Sequence, residues 1–217
     1  MDIMRFTFND FQENTYVLYD ESHSCVIIDP GNNNDAEDNE LFDAIEARNL
    51  KPVAIINTHC HLDHILGNGV CKKRFKIPVW MHRKDLPILN LAEQSSHMWG
   101  VPFRGKPEPD GFIEEGEKFS FGNTSLEIFF VPGHSPGHIA LYHAPSSNII
   151  VGDVLFHGST GRVDLPFCNG ADLCQSIQEK LYTLPDETIV WPGHGEETTT
   201  GEEKQNNPIV RPGYCGL

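Results

Sequence analysis

The chain has 217 residues, of which 39% are apolar and 22% are charged. Chains of this length can bury a sizeable core, so the composition excludes a disordered segment and predicts one globular domain over residues 1–217. Sixteen Lys and Arg against 31 Asp and Glu give a net charge of −15, which disfavours binding to nucleic acid or to an anionic membrane.

The first half of the chain alternates strands and helices. Periodicity and turn residues predict strands at 16–19, 25–29, 53–56 and 79–81, the first two as a hairpin. Helices are predicted at 38–49, 65–75 and 84–99. Residues 100–116 are rich in Pro and Gly and lack periodicity, and a loop of this length is typical of a functional flap.

The second half opens with strands and closes with a helix and a last strand. Strands are predicted at 125–131, 139–142, 149–151 and 188–191, and a helix at 171–184 with its leucines on one face. Both halves therefore place strands first and a helix later. This order predicts an α/β (α+β) fold in which two sheets pack face to face, with helices on the outer faces as an αββα sandwich.

Six cysteines are scattered along the chain without a C-x-x-C pair. This spacing is unlike a disulfide framework or a thiolate zinc site, so we expect free thiols. No apolar stretch approaches the roughly 18 residues of a membrane span, and the first residues do not resemble a signal peptide. The sequence thus predicts a cytoplasmic protein that does not enter a membrane.

Eleven His are an unusually large number for this length, and several of them follow apolar strands directly. The segment T-H-C-H-L-D-H at 58–64 carries three imidazoles and a carboxylate within six residues, and a turn after a strand lets such side chains converge. Nitrogen and oxygen ligands of this kind suit zinc and similar cations. His134, Asp153 and His194 follow three further strands, although an isolated Asp such as Asp153 is also typical of a turn or a helix cap.

The motifs T-H-C-H-L-D-H, G-H-S-P-G-H at 133–138, G-D at 152–153 and G-H-G at 193–195 stand in one specific order. In this order the chain resembles the metallo-β-lactamase-fold hydrolases, and within them the glyoxalase II-like branch, over nearly its whole length. The resemblance implies the four-layer αββα sandwich and two divalent metal ions, with zinc expected and iron or manganese also compatible with the ligands. It assigns His59, His61 and His134 to the first metal, Asp63, His64 and His194 to the second, and Asp153 to both.

The resemblance also implies an activity, the hydrolysis of a small-molecule thioester with S-lactoylglutathione as the reference substrate. A hydroxide between the two metals would be the nucleophile, and Asp63 would orient it or accept its proton. Because ligating imidazoles usually donate their outer N–H, Asp29 and His138 are expected behind the ligands, His138 mainly in a structural role.

Substrate contacts are less sharply indicated. Arg162 would either bind a substrate carboxylate or pair with Asp164. Trp99 would pack in the core or would cover the metal site. In the second case it would act with the rest of the aromatic and Met-containing segments 97–99 and 101–103. His23, His82 and His143 lie in no motif and are expected to be surface or structural residues.

Several relatives of this family fit less well. The zinc β-lactamases carry Cys in place of Asp153 and lack the equivalent of His64, the flavodiiron proteins carry Glu in place of His61, and the nucleases carry further domains. About twenty residues follow His194. In this length, and in the segment 155–166, the chain resembles the short form of glyoxalase II, which lacks a C-terminal helical domain. Two alternative functions stay open. One is a persulfide dioxygenase with one iron on His59, His134 and Asp153, and the other is a non-catalytic metal-binding module. The oligomeric state also stays open.

Overall fold

The computed structural model describes residues 1–105 and 108–217, so that Lys106 and Pro107 of the predicted loop 100–116 lie outside the described residues. Six α-helices occur in this part of the chain: α1 Asp35–Ala47, α2 Asn68–Phe75, α3 Leu86–Asn90, α4 Ala92–Trp99, α5 Gly170–Glu179 and α6 Thr200–Asn206. Among the described helices, none has the length and apolar character needed to cross a bilayer.

The first sheet has six strands in sequence order: β1 Asp2–Phe8, β2 Glu13–Tyr19, β3 Ser24–Ile28, β4 Lys51–Ile56, β5 Val79–Met81 and β6 Gly111–Phe112. The first three strands are antiparallel, which confirms the predicted hairpin between β2 and β3. From β3 to β6 the strands run parallel, with α1 and α2 in the crossovers. The carboxyl ends of β3 and β4 therefore point to the same edge of the sheet.

The second sheet has the order β14, β13, β10, β9, β8, β7. Its strands are β7 Lys118–Phe121, β8 Thr124–Phe130, β9 Ile139–His143, β10 Asn148–Gly152, β13 Ile189–Pro192 and β14 Thr198–Thr199. Because β8 and β10 each pair antiparallel with β9, and β10 is parallel to β13, the ends of β8, β10 and β13 share one edge. Two small hairpins complete the strands: β11 Leu155–Phe156 with β12 Ser159–Thr160, and β15 Val210–Arg211 with β16 Tyr214–Cys215.

The core is layered. Tyr16 and Ile28 of the first sheet pack against Ile128 and Ile150 of the second, so one hydrophobic cluster lies between the sheets. Alternate strand residues point the other way, where Val17 and its neighbours pack under α1 and α2, and Val151 and its neighbours pack under α5. Strands buried on both faces read as continuous apolar runs, which is why they were visible in the sequence. The four layers confirm the predicted αββα sandwich.

Some elements differ from the prediction. The edge strand β1 was not predicted, because one side of it faces solvent and its apolar run is interrupted by charge. The predicted helix 84–99 is divided at Leu91 into α3 and α4, after a 3₁₀ turn over Arg83–Asp85. The predicted helix 171–184 ends earlier, at Glu179, and a 3₁₀ turn follows it. Helix α6 was not predicted either.

The expectation of free thiols is wrong for one pair of cysteines. Cys174 on α5 and Cys215 on β16 form a disulfide between Cα atoms 6.1 Å apart, whereas Cys25, Cys60, Cys71 and Cys168 are not disulfide-bonded to any described residue. The pair forms because the C-terminal hairpin folds back onto α5, where Gln178 Nε2 donates to the carbonyls of residues 211 and 214. This return of the chain is a tertiary feature that cysteine spacing does not reveal.

Candidate metal centre

The polar motifs of the sequence meet at the strand ends described above. His59, His61, Asp63 and His64 follow β4, and the last two lie on a 3₁₀ turn over Leu62–His64. His134 follows β8, Asp153 follows β10 and His194 follows β13. All seven side chains that the sequence singled out therefore lie at one edge of the two sheets.

These side chains form two adjacent groups of three. His59, His61 and His134 each place a ring nitrogen within 4.8 Å of the others, and Asp63, His64 and His194 place their ligand atoms equally close. The inner contacts are short, with His61 Nδ1 2.8 Å from His134 Nε2 and His194 Nε2 3.2 Å from Asp63 Oδ2. We call these the three-His group and the Asp63 group.

Asp153 lies between the two groups. Its Oδ2 is 3.4 Å from His134 Nε2 of the three-His group and 3.5 Å from His194 Nε2 of the Asp63 group. Its Oδ1 is 3.4 Å from His64 Nε2. One carboxylate thus faces both groups, which is the position needed to contact two cations at once.

Three of these histidines have a partner at the ring nitrogen that faces away from the cluster. His134 Nδ1 is 2.8 Å from the carbonyl of Arg162, His194 Nδ1 is 3.1 Å from that of Phe11, and His64 Nδ1 is 3.1 Å from Asp29 Oδ2. Such contacts hold the proton on the outer nitrogen and leave the inner nitrogen with its lone pair free. Their orientation therefore suits metal ligands.

Three buried atoms of the cluster lack a hydrogen-bond partner within the described parts of the chain: His59 Nε2, His64 Nε2 and Asp153 Oδ1. Leaving buried polar atoms without a partner is costly, so native structures almost always satisfy them. All three point into the cluster and are of the types that bind zinc, iron or manganese. The residues present fit a pair of divalent cations.

The pKa values of these side chains also fit a metal site. Burial, with His134 nearby, lowers the pKa of His61 to about 3, and burial also holds the pKa of His59 well below its usual value. Although burial opposes it, Asp153 and Asp63 raise the pKa of His194 to about 10. His59 and His61 thus favour neutral imidazoles, the form that binds metal, while the carboxylates attract positive charge.

Two glycines allow the strand ends to approach this closely. A Cβ on Gly193 would collide with Asp153 Oδ1, and one on Gly152 would collide with the hydroxyl of Thr58. Gly152 also has φ +49°, a backbone conformation that favours glycine. The glycines of the G-D and G-H-G motifs are therefore required by the packing around Asp153.

Behind the cluster, the structure places Asp29 and His138 near the motif residues as the sequence analysis expected. Asp29 accepts hydrogen bonds from the backbone N–H of Thr58 at 2.7 Å and from its hydroxyl at 2.5 Å, besides facing His64. The ring of His138 stacks on that of His59, with centroids 4.6 Å apart, and its Nε2 accepts the N–H of Asp153 at 3.1 Å. His138 therefore holds the backbone beside the cluster and does not point into it.

Two buried carboxyl groups near the cluster were not indicated by the sequence. Asp85 accepts hydrogen bonds from the backbone of Cys60 at 2.5 Å and of Gly137 at 2.8 Å, and from the hydroxyl of Ser135. Glu13 lies 3.8 Å from His64 Nδ1, and burial raises its pKa. In the sequence, Asp85 stands out only as an acidic residue soon after the predicted strand 79–81, and it falls inside the predicted helix 84–99.

The cluster forms the floor of a cavity of about 580 Å³. His61, Asp63, His134, Asp153 and His194 line the floor, and α3 and α4 form one wall. The depth and size are those of a small-molecule site.

Trp99 is not a core residue. It is 54% exposed and lines the cavity together with Met98. Val101 and Phe103 pack against the hydrophobic cluster beneath α3 and α4, so the expectation that segment 101–103 covers the metal site is wrong. No described residue of the predicted flap 100–116 lines the cavity, because Arg104 turns away to bind Asp38 on α1.

Arg162 lines the cavity and also pairs with Asp164. Its Nε and Nη2 donate to the two carboxylate oxygens of Asp164 at 2.7 and 2.8 Å. Of the remaining histidines, His82 lies 3.0 Å from Glu114 and His143 2.7 Å from the Ser146 hydroxyl. Neither reaches the cluster, and His23 is exposed.

Comparison with known proteins gives one family. The sequence model of the "Metallo-beta-lactamase superfamily" matches residues 8–194, which span the whole cluster from Glu13 to His194. A "Hydroxyacylglutathione hydrolase GloC" of Haemophilus influenzae is 35% identical over 202 residues, covering 92% of this chain and 93% of its own.

Two solved structures are similar over nearly all of the chain. The "BLEG-1 B3 metallo-beta-lactamase" has a TM-score of 0.87 and 36% identity, covering 95% of this chain and 98% of its own. "TTHA1623 in a di-iron-bound form" has a TM-score of 0.86 and 36% identity, covering 94% and 98%.

Proposed function

The chain belongs to the metallo-beta-lactamase superfamily, and from this premise we propose that it is a metal-dependent hydrolase that cleaves small-molecule thioesters. The reference reaction is that of glyoxalase II on S-lactoylglutathione. The observation that carries the proposal is the position of Asp153, whose carboxylate faces both groups of ligand atoms. The second group of ligand atoms, from Asp63, His64 and His194, supports a site for two cations over a site for one.

We assign the residues as follows. His59, His61 and His134 would hold one divalent cation, Asp63, His64 and His194 a second, and Asp153 would contact both. Divalent cations held there would lower the pKa of a bound water towards neutrality and polarise a carbonyl oxygen. The ligand types are compatible with zinc, iron and manganese, and a di-iron-bound structural neighbour makes iron a specific candidate.

Asp63 is the residue proposed to move the proton. Its side chain is 15% exposed and lines the cavity, whereas that of His64 is fully buried. The carboxylate can therefore reach a water that enters from the cavity, orient it and accept its proton. Hydrolysis forms a C–O bond to the carbonyl carbon and breaks the C–S bond, and the proton then goes to the departing thiolate to give acid and thiol.

Two features support a thioester. The GloC relative is 35% identical and carries a name that specifies hydrolysis of an acylated glutathione. The cavity of about 580 Å³ suits a small molecule, and the charge of −15 disfavours a nucleic acid. We therefore propose a small-molecule substrate and no nucleic-acid or membrane partner.

Hydrolysis of a β-lactam is a second candidate, because one structural neighbour is named as a B3 metallo-beta-lactamase. The carboxylate of Asp153 between the two groups argues against it, since the zinc β-lactamases that the sequence analysis considered carry Cys at that position.

The deciding experiment combines metal content with activity. The protein is loaded in turn with zinc, iron and manganese, its metal stoichiometry is measured, and each form is assayed with S-lactoylglutathione and a chromogenic cephalosporin. Oxygen uptake with glutathione persulfide is followed in parallel. Two metals per chain with thioester hydrolysis supports the proposal.

Other outcomes would overturn it. One iron per chain with oxygen uptake would identify a persulfide dioxygenase, and turnover of the cephalosporin alone would identify a β-lactamase. A fully loaded protein that turns over no thioester, lactone or phosphodiester would be a non-catalytic metal-binding module.

A further inference from the structure

Helices α3 and α4 present an apolar face to the cavity. Ile88, Leu91, Ala92 and Met98 line it, with the polar Gln94 and Ser95 beside them, and this face continues across the break at Leu91. Trp99 ends α4, and the following Gly100, at φ +66°, turns the chain away. The wall therefore finishes in two large side chains at the cavity mouth.

These two side chains are unusually exposed. Met98 is 70% and Trp99 54% exposed, and the Trp99 ring contacts that of Phe11 edge-on, with centroids 6.1 Å apart. Phe156 stands against the His194 ring at 6.1 Å. Adjacent exposed apolar side chains around a concave site are typical of a surface that a ligand covers.

The charged side chains around the cavity disfavour a substrate that carries several carboxylates. Among the described lining residues, Arg162 is the one Lys or Arg side chain, and its Nε and Nη2 donate to Asp164. Asp63 and Asp153 add negative charge to the floor. Away from the proposed metals, a substrate with several carboxylates would therefore find few cationic side chains along the cavity wall, and desolvating unpaired carboxylates is costly.

We propose that Phe11, Met98 and Trp99 form a subsite for a bulky apolar group attached to the scissile thioester. The substrate class is then a thioester with an aromatic ring or a chain of about six carbons beside the reacting carbonyl or sulfur, because burial of each CH₂ favours binding. This inference rests on the proposed thioesterase function and narrows its substrate. The apolar group could belong to the acyl part or to the thiol part of the thioester. The experiments below distinguish these two positions.

The kinetic test varies one side of the substrate at a time. For the acyl side, acetyl and hexanoyl thioesters of N-acetylcysteamine are compared. For the thiol side, acetyl thioesters of N-acetylcysteamine and of benzyl mercaptan are compared. We expect kcat/KM to rise at least about tenfold with the apolar group on one of the two sides.

Variants then test the wall itself. Trp99→Ala and Met98→Ala should each reduce that preference towards one, because each removes part of the apolar wall. Tyr214→Ala is the matched control, because Tyr214 is similarly exposed, at 50%, but lies on β16 outside the cavity lining. A preference that is absent in the wild type, or that survives both wall substitutions, would overturn the inference.

A binding measurement keeps the inference independent of turnover. The S-hexyl, S-benzyl and S-methyl thioethers of N-acetylcysteamine lack the scissile carbonyl and are titrated calorimetrically into the loaded protein. The subsite requires the hexyl or benzyl compound to bind at least about tenfold more tightly than the methyl compound, and Trp99→Ala to remove the difference. Equal binding refutes the subsite, whereas selective binding without hydrolysis of any thioester refutes only the proposed function.

Discussion

The Asp85 carboxylate accepts a hydrogen bond from the backbone N–H of Gly137 at 2.8 Å, although 52 residues separate the two. The same carboxylate accepts the N–H of Cys60, which lies between His59 and His61. One fully buried side chain thus ties the loop of His61 to the loop of His134. The separation of the two loops, and with it the geometry of the three-His group, depends on this connection.

Asp85→Ala should therefore affect both folding and metal binding. Two buried N–H groups lose their acceptor, which lowers the free energy of unfolding by roughly 3 to 5 kcal/mol. Metal affinity should fall at least about tenfold, because the two loops are no longer held together. Urea unfolding of the metal-free protein and competition with a chromophoric chelator measure the two effects.

Asp43→Ala, on the exposed face of α1, is the matched control and should change neither quantity. If Asp85→Ala does not fold, Ser135→Ala removes one donor only and should still weaken metal binding. An unchanged metal affinity in a folded Asp85 variant would contradict the proposed connection.

Asp153→Ala should remove the carboxylate that we propose contacts both metals. We expect fewer than two metal ions per chain and a loss of hydrolysis of at least about a hundredfold, since the nucleophile depends on the metals. Elemental analysis and the S-lactoylglutathione assay measure these. His23→Asn serves as the control, because His23 is exposed at φ +63° and Asn tolerates that backbone conformation. Normal rates in the Asp153 variant would refute the assignment.

Asp29→Asn tests the support behind His64. Asp29 has φ +47°, which Asn also adopts, so the substitution changes the charge and keeps the backbone preference. We expect metal affinity to fall about 10- to 100-fold, because the outer nitrogen of His64 loses its carboxylate partner. Chelator competition gives the affinity, with Asp43→Asn as the control. Equal affinities in the two variants would remove Asp29 from the site.

Asp20 should make the free energy of unfolding depend on pH in the acidic range. Burial would raise its pKa, but hydrogen bonds from Ser22, Asn123 and Thr124 outweigh burial and lower the pKa. The stabilisation is therefore present above the carboxyl's ordinary pKa of about 3.9 and is lost as the pH falls through its lowered value.

At pH 7, Asp20→Asn should lower the free energy of unfolding by about 1 to 3 kcal/mol. The difference between the wild type and the variant should shrink as the pH is lowered towards 3. Urea unfolding at a series of pH values measures it, and a difference that is independent of pH would contradict the lowered pKa.

The disulfide between Cys174 and Cys215 should stabilise the oxidised protein. It closes a loop across 41 residues, which in the chain-entropy account contributes about 2 to 4 kcal/mol, or roughly 5 to 15 °C in Tm. Cys174→Ser with Cys215→Ser should lower Tm by this amount, and dithiothreitol should lower that of the wild type but not of the variant. In denaturant, four thiols should react before reduction and six after it. Six reactive thiols without reductant would show that the bond is absent.

The sequence predicted much of the site for a physical reason. His59, His61 and His64 lie within one short segment after a buried strand, so their convergence is largely a local property of the chain. The glycines beside Asp153 and His194 added a second local signal. The joint use of all seven side chains as metal ligands stays a prediction, although the structure brings them together.

Other parts of the site depend on residues far apart in the sequence. Asp85 read as a helix residue, because its three donors come from loops 25 to 52 residues away. Trp99 had two possible environments, and only the break between α3 and α4 and the turn at Gly100 place it at the cavity mouth. The pairing of Cys174 with Cys215 likewise required the chain to fold back.

The sequence by itself therefore determined the layers of the fold and the ligand-type side chains, because alternating apolar strands and clustered histidines are encoded over a few consecutive residues. The tertiary structure decided how far apart the two groups of ligands lie and which apolar side chains line the cavity above them. Those features depend on how separate strand ends and helices pack, and packing is set by contacts between residues that are distant along the chain.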